Sequence, residues 1–287
     1  MNRMTKGKNQ TQTLSWLRRL AVVVMLLIFA PSIVNASVLI PHRAIYDMVM
    51  HSAERGSGIS SAYGTMVFSF HDGCADWSSE TNVKLKISYD EGDDVTTEWA
   101  FANWEAKDGL SYQFRMRRGR NGNEIENLKG RLVRSSPSAE AVARFSEPEG
   151  KTIRLPEGTL LPSSHMIELL KAGGQGKVMF SRMVFDGASL QNPYEINAVI
   201  AKRSLVSHSP RNAYTNKIIA GSGLKAIPPR HYRLAFFPLS SSVEEPSFEL
   251  GVDYRSDGIA LFIRQDFGDF SLDLHLQRLE LLEKPNC

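Results

Sequence analysis

In the run VKLKISY, Val83 to Tyr89, apolar and polar residues alternate without a break: Val83, Leu85, Ile87 and Tyr89 against Lys84, Lys86 and Ser88. Successive side chains of a strand point to opposite faces, so this alternation predicts a sheet with one buried and one wetted face. The same period recurs in RAIYDMVM, YGTMVFSF, VTTEWAFANW and LSYQFRMR, and again in YEINAVIA, HYRLAFF, SFELGVDY, IALFIRQDF and FSLDLHLQRLELL. Turn signals separate these runs, among them HDG, DEGDD, KDG, GRNGN, EPEG, FDG and RSDG. Connections this short join antiparallel neighbours, so the pattern predicts a mainly β antiparallel sandwich or barrel. No repeat, low-complexity tract or change of composition divides residues 37–287, and one β-rich domain is the simplest organisation.

Two segments break the alternation. LPSSHMIELLKAGG predicts a short helix, with Ser163 or Ser164 as N-cap, Met166, Ile167, Leu169 and Leu170 as its apolar stripe, and Gly173 as its stop. It lies near the midpoint of the chain, where it can cover one side of the sheet. The stretch SLVSHSPRNAYTNKIIAGSGLKAIPP, residues 204–229, is polar, ends in Gly and Pro, and is expected to be a long mobile loop.

The first thirty-six residues read as a targeting segment. Arg3, Lys6, Lys8, Arg18 and Arg19 precede the apolar run from Leu20 to Val34, and Val34 and Ala36 supply the small residues of a cleavage site. The apolar run is shorter than the ~20 residues of a spanning helix and contains Pro31. A cleaved secretory signal is therefore expected at 1–36, with no membrane span in the remaining chain and no cysteine at the junction to carry a lipid. Five of the 34 basic residues lie in that segment, leaving 29 against 31 acidic, so composition gives no case for nucleic-acid binding.

Cys74 has His71, Asp72 and Asp76 within three residues, and Cys287 is the other cysteine of the chain and its last residue. A metal site, a nucleophile and a disulfide compete for this cluster. Export to an oxidising compartment and an even cysteine count favour a bond between Cys74 and Cys287. Alternation and an intervening turn spread the four side chains, which weakens the metal reading. No motif pairs Cys74 with a particular histidine.

Other candidates have bland readings beside them. DEGDD, Asp90 to Asp94, lacks calcium-loop spacing and reads as a solvated turn. Arg115 and Arg117 share the face opposite Phe114 and Met116, so the basic run that includes Arg118 and Arg120 reads as an outer face rather than an anion site. The seven histidines form no metal-binding motif, and Ser164 beside His165 cannot act as a pair because adjacent helical positions diverge. Neither a nucleophile elbow nor a nucleotide-binding loop is present. The residues indicate no catalysis, no cofactor and no metal.

The segments LIPHRAIYDMVM, SGI (57–59), GTMVF (64–68), CADW, LLPSSH, VFDG (184–187), FGDFSL (267–272) and the terminal LQRLELLEKPNC occur in an order that resembles the EipB family of alphaproteobacterial periplasmic cell-envelope integrity proteins. The resemblance covers nearly all of residues 37–287. It implies one domain built as an opened, spiral-like antiparallel β-barrel with one or two short helices, and a disulfide between Cys74 and Cys287. It also implies a non-catalytic role in envelope maintenance, a periplasmic location and a periplasmic tetratricopeptide-repeat protein as partner. Where the family places Asp-Gly between the cysteine and the tryptophan, this chain has Ala75 and Asp76, which bears on the local turn.

Two functional expectations lead, ahead of an envelope hydrolase, which would need a nucleophile–base or carboxylate pair converging in a cleft. The first is a monomeric, non-enzymatic envelope protein acting through protein contacts. The second is a carrier that holds a lipid or acyl chain in an opened barrel; that rests on fold analogy alone.

Overall fold

Each alternating run forms a strand with its apolar residues on one face. The first eight strands are β1 (His42–Ala53), β2 (Ile59–Asp72), β3 (Asp76–Tyr89), β4 (Val95–Ala106), β5 (Ser111–Arg120), β6 (Asn123–Val133), β7 (Ala141–Glu147) and β8 (Thr152–Leu155). After the helix α1 (Pro162–Gly174) come β9 (Met179–Val184), β10 (Tyr194–Ala201), the helix α2 (Asn212–Gly221), β11 (Arg230–Pro238), β12 (Phe248–Tyr254), β13 (Ala260–Asp266) and β14 (Phe270–Leu281). This computed structural model describes residues 39–201, 212–239 and 245–287; the predicted signal segment, 1–36, lies outside them. The described residues belong to one compact unit, Ser37–Cys287.

The strands make one sheet in the order β8, β7, β6, β5, β4, β3, β2, β1, β14, β13, β12, β11, β10, β9. Every neighbouring pair is antiparallel. The first and last strands meet at the centre, and the chain meanders outward from that seam on both sides. The two edges, β8 and β9, belong to the middle of the sequence. They do not pair with each other. Instead Leu160, in the segment leading to α1, makes an isolated parallel bridge to Val184, donating to the Met183 carbonyl at 2.8 Å and accepting from the Phe185 N–H at 3.0 Å. The result is an opened barrel, one antiparallel sheet that stays unclosed.

The inner face carries two apolar clusters. One joins Ala44, Tyr46, Met48, Met66, Phe70 and Leu85 to the inward residues of β9–β14 and to Leu169, Leu170 and Ala172 of α1. The other gathers Phe101, Tyr112, Phe114, Met116, Leu128, Leu132, Phe145, Leu161 and Phe185. The outer face is polar, with Arg115, Arg117, Arg118 and Arg120 all exposed opposite buried Phe114 and Met116. Asp90–Asp94 form an exposed turn, where Lys86 pairs with Asp94 and holds its carboxyl below the usual carboxylate range.

Two expectations need correction. The polar stretch 204–229 is not one long loop: residues Asn212–Gly221 form α2, and residues 204–211 lie outside the described part. Thr215 and Ile219 of α2 are buried, with Ile218 packed on the same core cluster, so a helical stripe hides among polar neighbours. The N-cap of α1 is Leu161, with Pro162 at the first helical position, and neither Ser163 nor Ser164 caps it. The donors of the first turn are satisfied from another strand.

Candidate functional site

Cys74 and Cys287 are bonded to each other, with Cα atoms 5.7 Å apart. Cys74 stands in the β2–β3 turn, and Cys287 ends the tail that follows β14. The tail leaves along the seam, where the Leu282 N–H donates to the Pro41 carbonyl at 3.0 Å. The bond thus carries the C-terminus across β1 to the β2–β3 hairpin. With its sulfur in the disulfide, Cys74 offers no thiolate to a metal or a substrate.

Asp72 and Asp76, from the cluster around Cys74, serve the turn. Gly73 donates its N–H to the Asp76 carbonyl at 2.8 Å, and Asp72 pairs with Lys107 of the β4–β5 turn at 2.5 Å. Lys107 also donates to the carbonyls of Gly73 (2.5 Å) and Cys74 (3.3 Å) and stands 5.6 Å from the Trp77 ring centroid. His71 is exposed and makes none of these contacts. Lys107 is the first of two residues that sequence reading missed. Its KDG turn was visible, but nothing local to it says which hairpin it faces.

The second missed residue is Glu105. It stands one residue from the end of β4 with 0% exposure and receives the N-terminus of α1. The Ser163 N–H donates to Oε2 at 2.7 Å, while the Ser164 N–H (3.0 Å) and hydroxyl (2.7 Å) donate to Oε1. The open N–H groups and dipole of a helix start favour a carboxylate there. Burial nevertheless raises the Glu105 pKa, offset in part by the three hydrogen bonds. One turn into α1, His165 is buried against Phe180 at 5.7 Å between ring centroids, and burial, with Arg182 nearby, drops its pKa to about 4.

On the outer face, His231 Nδ1 lies 2.8 Å from Asp253 Oδ1, the orienting half of a hydrolase-like arrangement. A couple of this kind orients an imidazole, and a catalytic triad adds a hydroxyl or thiol on its other nitrogen. Arg264 holds Asp273 through two bonds, at 2.7 and 2.9 Å, and lies 3.1 Å from His51. Among the described residues no three His, Cys, Asp or Glu side chains gather closely enough to hold a metal.

The fold of this unclosed sheet has counterparts among known proteins. The family model described as EipB-like matches residues 34–283. The chain belongs to the EipB-like family. A curated relative from Brucella abortus, "Cell envelope integrity protein EipB", is 24% identical over 257 residues, covering 88% of each chain. A crystal structure from Brucella abortus, described as a β-barrel-like protein of a domain of unknown function, superposes with a TM-score of 0.75. It is 24% identical, covers 86% of this chain and spans all of the other.

In this EipB-like chain the landmark segments have identifiable structural work. LLPSSH contains the Leu160 bridge, the fully buried Leu161 and the two serines that meet Glu105. In VFDG, Phe185 packs edge-on to Tyr112 (6.2 Å) and Phe114 (5.5 Å), and Asp186 accepts from the Ala188 N–H and Asn192 Nδ2, each at 2.8 Å. Gly187 follows at φ +75°, where an added Cβ would overlap the Phe114 ring. FGDFSL forms the β13–β14 hairpin, with Phe267 stacked on Phe270 at 5.2 Å.

Proposed function

We propose that this EipB-like chain is an exported, non-enzymatic protein that supports cell-envelope integrity through contacts with other proteins. The observation that carries this reading is the family match over residues 34–283, joined to the name of the Brucella abortus relative. The basic-apolar segment at 1–36 supports export, and a disulfide suits the oxidising periplasm. No helix among the described residues is long and apolar enough to cross a membrane. The bonded state of Cys74, which leaves that sulfur no thiolate, supports the non-enzymatic reading.

The proposed partner class is a periplasmic tetratricopeptide-repeat protein, with this chain as a monomer. Chemical cross-linking in intact cells, followed by mass spectrometry of the captured species, tests the proposal. A defined repeat protein recovered with this chain supports it. Lipid recovered without protein would favour the carrier alternative, and capture of neither would remove the contact-based reading.

A further inference from the structure

Between the inner face of β1–β3 and the first turns of α1 lies a cleft of about 150 Å³. Leu39, Phe68, Phe70 and Met166 give it an apolar wall. Polar lining comes chiefly from His42 and Asp257, which differ in what they have left to offer.

His42 is 3% exposed, and its Nδ1 lies 2.7 Å from the Ile40 carbonyl. A carbonyl only accepts, so Nδ1 carries the proton, and in the neutral ring Nε2 is left as a lone-pair acceptor. Burial keeps the ring pKa below its ordinary value, which favours that neutral form. Nε2 makes no hydrogen bond with any described residue. Asp257, by contrast, is matched by Arg255, whose Nη2 donates at 2.7 Å and whose Nε lies 3.1 and 3.2 Å from the two carboxylate oxygens. The charges of that pair cancel. The cleft therefore presents an apolar body, no net charge and, at His42 Nε2, an acceptor that no described residue engages, beside the hydroxyls of Ser79 and Ser163. Nε2 is not among the fully buried atoms left without a partner, so a donor that enters the cleft can reach it.

We propose that this cleft is a binding site for a small neutral amphiphile with one O–H or N–H donor, held by its apolar body against Phe68, Phe70 and Met166 and by its donor on His42 Nε2. The volume sets the size. An apolar protein cavity of about this volume accommodates a benzene-sized molecule. The Phe68 and Phe70 rings pack against that of His42, 5.5 and 6.5 Å between centroids, so the acceptor stands in an aromatic wall that suits an aromatic ligand. The inference is independent of the protein-contact reading, and either can fail without the other.

Phenol and toluene are the probes, since they share a ring and differ in the donor. They are titrated into the exported, disulfide-intact protein and followed by nitrogen NMR of the histidine rings. Phenol is expected to bind about tenfold more tightly than toluene, the ratio of one net hydrogen bond. It is also expected to shift the His42 Nε2 resonance, which toluene leaves in place. His42→Phe keeps the apolar volume and should erase the phenol preference. Met166→Trp fills the cleft and should abolish binding of both probes. Equal binding of the two by wild type, no shift of Nε2 with phenol, or a preference that survives His42→Phe would each overturn the proposal. The Nε2 shift is read on the wild-type protein and stands even where a variant does not fold.

Discussion

Ser164, in the first turn of α1, donates two hydrogen bonds to Glu105 of β4, 59 residues earlier, from its N–H at 3.0 Å and its hydroxyl at 2.7 Å. With the Ser163 N–H on the other oxygen, one buried carboxylate fixes where the covering helix begins. Glu105→Ala leaves three donors without their acceptor and should cost about 3 kcal/mol of unfolding free energy in a denaturant titration. Glu105→Gln keeps one acceptor oxygen and should cost less.

The disulfide should contribute much of the stability of the exported form. In the chain-entropy model a bond across 213 residues contributes up to roughly 5 kcal/mol. Cys74→Ser and Cys287→Ser should lower the melting temperature equally under oxidising conditions. Under reductant both should melt with the wild type. Thiol labelling of the denatured, unreduced wild type should find almost no free sulfhydryl.

Acid should weaken the fold through His165. Its folded pKa is about 4, below the 6.5 of an exposed imidazole. Between those values the unfolded chain takes up a proton that the folded chain refuses. The contribution is full above pH 6.5 and is lost as pH falls toward 4, to a limit of about 3 kcal/mol. Glu105 acts in the opposite sense, since its raised pKa favours the protonated folded state. His165→Leu leaves Glu105 in place, so the variant should lose less stability than wild type between pH 6.5 and 4 in parallel denaturant titrations.

Gly64 marks a close approach of β2 to β3. An added Cβ would overlap the Lys84 carbonyl oxygen and lie 2.9 Å from the Leu85 Cα, both backbone atoms with little room to move. Gly64→Val should therefore destabilise by roughly 3 kcal/mol, read from the denaturation midpoint. The neighbouring Thr65→Ala, on the exposed face, should change stability by about 0.5 kcal/mol or less.

Period-two alternation made most of the sheet legible, from VKLKISY in β3 to the long β14. Four strands gave weaker signals. In β6, Leu128 and Leu132 are buried but Ile125 is 57% exposed, and Gly130 sits under the Phe114 ring instead of supplying a side chain. β7 buries Ala141 and Ala143, which hardly register as apolar, while β8 has four residues and β9 six. The stripe of α2 was hidden for a similar reason, with Thr215 doing the work of an apolar residue. Cys74 and Cys287 could be paired from the sequence because only two cysteines exist. Lys107 and Glu105 could not, since each acts on a segment brought to it by strand order, and no local pattern encodes that order.

The proposed role places this chain outside the cytoplasm, in maintenance of the cell envelope. The direct measurement is survival of cells depleted of it, challenged with a membrane detergent and with a cell-wall antibiotic. Survival should fall sharply under both agents and return when the exported wild type is supplied. Undiminished survival under both, or full rescue by a version lacking residues 1–36 and retained in the cytoplasm, would contradict the account.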